Sequence, residues 1–320
     1  MAMTLPLPFA AHRILVSGQD HVAISDAIRA RRADLDVRNR APAEVTSEDL
    51  EWAECYVGFR PPRRADTMGQ VRWVHSTGAG VDAWLNSPAL DHSILLTRSA
   101  ESFGPMIAEW TVARVFAIQQ QLPSLAVAQQ QREWAPRDIA PVAGTRALLL
   151  GTGDIGRAIA TSLRALGCHV TGLSRSGLSD HPAFHAVRTI DALPELVTDA
   201  DWIISSLPDT PTTRGIISRD VLSRCRGAGL LNAGRGAVIE EQALPEALER
   251  GWLRAAALDV FVREPLPPDS PLWNDPRVIV SPHISGLTTT AGAVAGFLEC
   301  AEALARGEMP KWVVDRTRGY

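Results

Sequence analysis

The sequence predicts an α/β fold of two Rossmann-like domains, doubly wound parallel sheets with the active site in the cleft between them. Three observations predict it. Short apolar runs alternate with helical stretches along almost the whole chain. The run Gly151-Thr152-Gly153-Asp154-Ile155-Gly156 stands between one such run and a helical stretch, the place where a doubly wound sheet takes a dinucleotide. A length of 320 residues is enough for two cores.

In chain order, Arg13 to Gly18 reads as a first strand and Asp20 to Arg32 as a helix. Cys55 to Phe59, Arg72 to Thr77 and Ser93 to Thr97 are further short strands, giving a small parallel unit over roughly the first hundred residues. Pro105 to Gln131 differs. Ile107, Trp110, Thr111, Arg114, Val115, Ile118 and Leu122 recur at helical spacing, Pro105 suits a first turn and Glu109 the N-terminal dipole. The segment reads as helix leading into the second domain. Alternation then resumes with six strand candidates: Arg146 to Gly151, His169 to Arg175, Trp202 to Leu207, Gly229 to Ala233, Ala255 to Val260 and Val278 to Val280. Between them Gly156 to Leu166, Arg219 to Arg224 and Glu241 to Arg250 read as helices, and the Ala-rich stretch Thr288 to Arg306 as a final helix returning to the first domain. The expected division is 1–103 plus 286–320 for one domain and 104–285 for the dinucleotide-binding domain.

Composition narrows the functional classes. Hydrophobic residues make up 46% and charged residues 21%, as in an ordinary globular protein, and the net charge of −4 leaves no footprint for nucleic acid or an anionic membrane. No run approaches about 18 apolar residues, the length of a membrane span. The segment 1–11 has no basic start and is broken by prolines, so no signal peptide is expected and the expected location is cytoplasmic. Cys55, Cys168, Cys225 and Cys300 lack metal or disulfide spacing; no metal is expected, and the thiols read as small buried hydrophobes.

In the glycine run, Gly151 suits the tight turn, Gly153 a close approach to pyrophosphate, and Gly156 close packing of helix on strand. The N-terminus of the helix that follows offers amide donors to phosphate. The end of the next strand discriminates between cofactors. An acidic residue about 20 residues after the loop would hold the ribose 2′-hydroxyl of NAD. Here Leu173-Ser174-Arg175-Ser176 has no carboxylate. A planar guanidinium between two hydroxyls suits a 2′-phosphate, so NADPH is expected in preference to NADH.

Further on, Arg235 in Asn232-Ala233-Gly234-Arg235-Gly236, Glu264 in Arg263-Glu264-Pro265 and His283 in Ser281-Pro282-His283 each fall at or just beyond the end of an apolar strand. The glycines beside Arg235 are expected to leave room for a ligand and the nicotinamide. A guanidinium binds a carboxylate and polarises a neighbouring carbonyl. An imidazole, with its ordinary pKa of about 6.5, donates a proton near neutrality, and a carboxylate on its other nitrogen orients it. His75, His92, His169, His181 and His185 lack such company and read as structural.

Taken together, the stretches GTGDIG, LPDTPTTRGII, LLNAGRGAVIEEQAL, ALDVFVREPLP, SPLW and SPHISG resemble the D-isomer-specific 2-hydroxyacid dehydrogenases, over essentially the whole chain. The sequences LSRS and REPLPPDSPLW, with the run Val314 to Tyr320, are most similar to the branch that reduces glyoxylate and hydroxypyruvate. The resemblance implies a flavodoxin-like substrate domain and hydride transfer to a small 2-oxo acid. It implies Arg235, Glu264 and His283 as the catalytic residues. Asp259 would hold the nicotinamide carboxamide, and Leu207, Pro208 and Thr213 would line the adenosine side. Asn232, Ala233, Gly234, His283 and Ser285 are expected beside the cofactor. The substrate carboxylate would meet Gly78, Ala79 and Gly80, with Arg60 and Trp134 near its tail, Trp134 from a partner subunit. A homodimer through the 105–131 region is implied as well.

Three features depart from the pattern: Glu240 where Asp is frequent, Gly234 where a larger residue is common, and Ser285-Gly286-Leu287 after the histidine. They bear on substrate size. A bulkier 2-oxo acid such as phenylpyruvate is the alternative substrate. A non-enzymatic, dinucleotide-sensing interaction protein is the alternative of another class, and the intact trio argues against it.

Overall fold

Strands that run parallel need crossover connections long enough to hold a helix, and the alternation in this sequence supplies them. The computed structural model describes residues 5–63, 65–100 and 102–319; residues 1–4 of the apolar start and Tyr320 of the closing run lie outside them. The chain forms two units: one runs up to Ser102 and resumes at Thr288, and the other is Phe103–Leu287.

The first unit holds β1 (Arg13–Ser17), β2 (Asp36–Arg40), β3 (Cys55–Val57), β4 (Trp73–Ser76) and β5 (Leu95–Arg98) in one sheet of order β2-β1-β3-β4-β5. All pairs are parallel. The helices are α1 (His21–Arg31), α2 (Ser47–Trp52), α3 (Asp82–Leu85) and, from the end of the chain, α10 (Thr290–Ala305). β2 is absent from the sequence reading because Asp-Val-Arg-Asn-Arg buries only Val37; it is an edge strand, paired on one side. α2 was unread too, although Thr46 and Asp49 cap it reciprocally.

One side of this sheet is closed by α10, whose Phe297 stacks on Trp73 with ring centroids 5.2 Å apart. Within that core His75 is fully buried, its Nδ1 2.9 Å from Thr97 Oγ1 and its Nε2 3.0 Å from Ser99 Oγ. Two hydroxyls satisfy a neutral ring, whereas a charged ring would be desolvated.

The second unit begins with α4 (Phe103–Gln119) and α5 (Leu122–Gln131), where a single helical segment was expected. Gln121 takes φ 53° and breaks it, and Pro123 opens the new helix. Then come β6 (Arg146–Leu150), α6 (Asp154–Ala165), β7 (His169–Ser174), β8 (Ala186–Thr189), α7 (Leu193–Leu196), β9 (Trp202–Ser205), α8 (Arg219–Leu222), β10 (Ala228–Asn232), α9 (Leu244–Glu249), β11 (Leu253–Leu258) and β12 (Val278–Val280). The parallel sheet has the order β12-β11-β10-β9-β6-β7-β8, a doubly wound topology that reverses between β6 and β9. β8 was missed because Ala-Val-Arg-Thr is short and nowhere fully buried.

All four cysteines are buried free thiols, and burial pushes Cys225 and Cys300 up to about 12. Among the described residues no helix is long and apolar enough to cross a membrane, and no group of His, Cys, Asp and Glu has the makings of a metal site.

Burial holds His75 down to about 3 in the fold, against about 6.5 for an ordinary imidazole. Below pH 6.5 the unfolded chain therefore binds a proton that the folded chain does not. Stability from this residue is complete above about pH 6.5 and is lost as pH falls toward 3, by at most about 1.4 kcal/mol per unit. Urea unfolding at pH 7.5, 6.0 and 5.0 should give wild type a steeper loss than His75→Gln; parallel slopes would contradict the neutral buried ring.

Candidate active site

At the reversal point of the larger sheet, β6 ends on Leu150 and the chain turns at Gly151, whose φ of 103° is a left-handed conformation that side-chain-bearing residues rarely adopt. A Cβ on Gly151 would stand 2.7 Å from Ser206 Oγ, beyond the end of β9. A Cβ on Gly156 would strike the Gly151 carbonyl, so α6 begins in direct contact with the turn. Around Gly153, by contrast, a Cβ would meet nothing within 4 Å. Gly153 is also the N-cap of the 12-residue α6 and has no side chain to cap it. Open space over uncapped helix amides fits the pyrophosphate of a dinucleotide. Asp154 is exposed in the first turn, Ile155 is half-buried, and the Thr152 methyl group lies over Gly172 of β7.

β7 ends in a turn built by its own serines. Ser174 Oγ accepts the Gly177 N–H at 3.1 Å, and Ser176 Oγ accepts the Leu178 N–H at 3.3 Å. Arg175 is exposed between them. Beyond β9, Thr213 Oγ1 donates to the Pro208 carbonyl at 2.6 Å and accepts the Thr210 N–H at 2.9 Å. Its hydroxyl thus organises the loop that starts at the buried Leu207.

The chemical trio comes from three neighbouring strands in register. Asn232 of β10 pairs with Leu258 of β11, and Leu258 with Val280 of β12. The chain leaves all three strands at one end, and Arg235, Glu264 and His283 follow in those three loops. Asn232 is wholly buried; its Oδ1 accepts the Gly234 N–H at 3.1 Å and its Nδ2 donates to the Arg235 carbonyl at 3.0 Å. The half-buried Arg235 guanidinium donates to the Gly234 carbonyl at 2.8 Å.

The flanking glycines do not do what was expected of them. The space a Cβ would take on Gly234 is filled by the Leu207 backbone, and on Gly236 by the backbone of Phe261 and Val262. They admit neighbouring chain rather than a ligand, and Gly236 presses the Arg235 loop onto the loop of Glu264.

That second loop is pinned twice. Glu264 Oε1 accepts the Phe261 N–H at 3.1 Å, and Glu241 Oε2 accepts the Val262 N–H at 2.9 Å. Glu264 Oε2 lies 2.8 Å from His283 Nδ1. An ionised carboxylate only accepts, so the proton of this bond sits on Nδ1 and Nε2 is the ring nitrogen left for a ligand. His283 has a left-handed backbone, φ 53°, and its side chain is 43% exposed.

Asp259 holds the third loop. The Ser281 N–H goes to the Leu258 carbonyl and the His283 N–H to the Asp259 carbonyl. Ile284 N–H reaches Asp259 Oδ1 at 3.0 Å, Ser285 N–H reaches Oδ2 at 2.7 Å, and Ser281 Oγ reaches Oδ1 at 2.5 Å. Asp259 is 0% exposed. Its carboxylate takes three hydrogen bonds from the loop, two on Oδ1 and one on Oδ2, and Ser285 is buried in the same arrangement. No sequence motif announced this role, though an Asp just past one strand and a Ser-Pro-His just past the next carried the means.

The other expected residues divide between the two units. In the first unit, Arg98 donates to the Ala79 carbonyl at 2.7 Å, and Phe59, unread in the sequence, packs its ring where Gly78 has no side chain. Gly80 is half-buried, and Arg60 is exposed with its carbonyl accepting the Tyr56 hydroxyl at 3.3 Å. In the second unit Trp134 is 95% exposed.

Comparison with known proteins bears on this arrangement. Residues 112–285, just over half of the chain, match the model of the D-isomer specific 2-hydroxyacid dehydrogenase, NAD binding domain. Glyoxylate/hydroxypyruvate reductase A of Serratia proteamaculans is 33% identical over 270 residues, 82% of this chain and 86% of that protein. A D-isomer specific 2-hydroxyacid dehydrogenase from Xanthobacter autotrophicus, solved with NADPH and MES, is similar with a TM-score of 0.88 at 30% identity, covering 97% of this chain and 100% of that one. An NADPH-dependent glyoxylate/hydroxypyruvate reductase from Sinorhizobium meliloti, solved with NADP and sulfate, has a TM-score of 0.84 at 26% identity, covering 96% and 99%.

The contact at Gly236 is open to test by folding alone. Gly236→Ala forces a methyl group into the Phe261 backbone and should cost about 1–3 kcal/mol, read as a lower urea midpoint at unchanged slope. An unchanged midpoint would refute the close approach of the two loops.

Proposed function

The chain belongs to the D-isomer specific 2-hydroxyacid dehydrogenase family, oxidoreductases acting on CH–OH donors, and we propose that it reduces a small 2-oxo acid with NADPH. The reactions that fit best are glyoxylate to glycolate and hydroxypyruvate to D-glycerate, carried out by a cytoplasmic homodimer. The observation that carries the reading is the 2.8 Å bond of His283 Nδ1 to Glu264, at the same end of the sheet as the glycine turn. A ring fixed through Nδ1 keeps Nε2 for proton transfer, the requirement for a positioned general acid.

When bound, the reduced dinucleotide supplies a hydride for the keto carbon. The amides at the start of α6 would hold its pyrophosphate, and Ser174, Arg175 and Ser176 a 2′-phosphate. Arg235 would clamp the substrate carboxylate and draw charge onto the keto oxygen. His283 would give its Nε2 proton to that oxygen, leaving an alcohol and a neutral ring. Glu264 would keep the ring aligned and stabilise the imidazolium before transfer. Gly78, Ala79 and Gly80 are proposed as amide donors to the carboxylate, with Arg60 and Trp134 toward the substrate's tail. For the homodimer, Leu122, Val127, Trp134 and Ile139 offer exposed apolar surface along and just beyond α5.

The test is loss of absorbance at about 340 nm, the band of the reduced nicotinamide, with NADPH or NADH against glyoxylate, hydroxypyruvate, pyruvate and phenylpyruvate. Turnover with NADPH and glyoxylate or hydroxypyruvate is expected, falling roughly 10²- to 10⁴-fold in His283→Asn. Activity on phenylpyruvate alone would replace the substrate and keep the chemistry; no turnover with tight NADPH binding would favour a sensor. Arg175→Asp should raise the KM for NADPH far more than that for NADH. Equal effects on both would refute the 2′-phosphate site.

A further inference from the structure

The hydrogen bonds around Asp259 continue past the loop. Trp110 Nε1, on α4, donates to Ser281 Oγ at 3.1 Å, and Ser281 Oγ donates to Asp259 Oδ1 at 2.5 Å. Trp110 is 6% exposed, Ser281 4% and Asp259 0%. The direction of this line is fixed by chemistry. An indole N–H can only donate and an ionised carboxylate can only accept, so the hydroxyl between them must do both. We propose that Trp110 and Ser281 are positioning residues for His283, acting through the Asp259 carboxylate.

Three features argue for positioning rather than mere core satisfaction. A carboxylate with no exposed surface is destabilising unless its oxygens are matched, and among the described residues the bonds to its side-chain oxygens come from 281–285, the segment that carries the imidazole. Pro282 has no N–H, so the bonds of Ser281 and of residues 283–285 are what hold the segment on either side of it. Between those bonds His283 adopts a left-handed backbone that a side-chain-bearing residue keeps only when its surroundings impose it. The line through Ser281 ties that loop to the 17-residue α4, a rigid element of the same unit. Small motions of the loop would otherwise swing the ring off Glu264 Oε2, and misplacement of a catalytic group costs rate without touching the group itself.

This inference rests on the general-acid reading of His283, and its test separates the two. Ser281→Ala, Ser281→Thr and Trp110→Phe are compared with wild type; the last keeps an aromatic ring and removes the N–H. With NADPH and glyoxylate, and sites counted by NADPH titration, kcat per site should fall about tenfold or more in Ser281→Ala and Trp110→Phe. The KM for glyoxylate and the Kd for NADPH should stay within about twofold, because a displaced acid is missed in the transition state rather than in binding. Ser281→Thr should restore most of the rate.

Independently of turnover, the Cδ2–H and Cε1–H cross-peaks of His283, assigned with His283→Asn, report its tautomer. Wild type and Ser281→Thr should show the Nδ1–H form above neutral pH, and Ser281→Ala a shift toward the average of both forms. A lower unfolding midpoint with unchanged kcat per site and unchanged cross-peaks would overturn the inference and leave a purely structural role. If wild type turns over none of the 2-oxo acids, the functional reading fails, and the tautomer comparison still decides the positioning claim. Should Ser281→Ala fail to fold, Trp110→Phe carries the same comparison.

Discussion

A buried carboxylate at the end of β11 is the constraint on which the candidate site depends. Asp259 stands where three parallel strands end side by side, and the N–H groups of the segment after β12 converge on it and on Leu258. Hydrogen bonds to a charged group contribute about 1.5–3 kcal/mol each, and an unmatched buried charge costs more than that. The loop and the carboxylate therefore stand or fall together. His283 inherits its left-handed backbone from this clamp, and Glu264 then has an imidazole within reach at 2.8 Å. The geometry of the His283–Glu264 pair is thus set one residue beyond the strand, before either partner's own side chain is considered.

Close backbone contact is the second device, and the glycines supply it. Gly156 seats α6 against the Gly151 carbonyl; Gly234 and Gly236 seat the arginine loop against Leu207 and Phe261. These contacts link the cofactor turn to the loop after β9, that loop to Arg235, and Arg235 to the segment that ends in Glu264. The contacts at Gly156, Gly234 and Gly236 are backbone against backbone, which is stiffer than contact through side chains that change rotamer. A guanidinium and an imidazole carried by separate strands can keep a fixed relation only on such a framework.

Much of this was legible in the sequence, and the part that was not has a physical reason. The apolar strands and the helical stretches between them announced both parallel sheets, because strands buried on both faces read as unbroken hydrophobic runs. β2 and β8 escaped because Asp36–Arg40 and Ala186–Thr189 are edge strands with little to bury. The break between α4 and α5 escaped because it rests on the backbone of Gln121, which no periodicity records. Arg235, Glu264 and His283 were readable as a set, since few chemistries need a cation, a carboxylate and an imidazole after successive strands. The work of Asp259, Ser281 and Trp110 was not, because it is a matter of which donors meet in three dimensions across 171 residues of sequence. Gly234 and Gly236 were misread for the same reason: a missing side chain says that something comes close, not what.

The central claim is that this clamp holds an imidazole and a guanidinium for one keto oxygen. A crystal structure with NADPH and oxamate, a non-reducible mimic of a 2-oxo acid, tests it most directly. The oxamate carbonyl oxygen should lie within hydrogen-bond distance of both His283 Nε2 and Arg235, with the Asp259 bonds to residues 281–285 intact. Oxamate bound away from His283, or a loop 281–285 released from Asp259 in the complex, would contradict it.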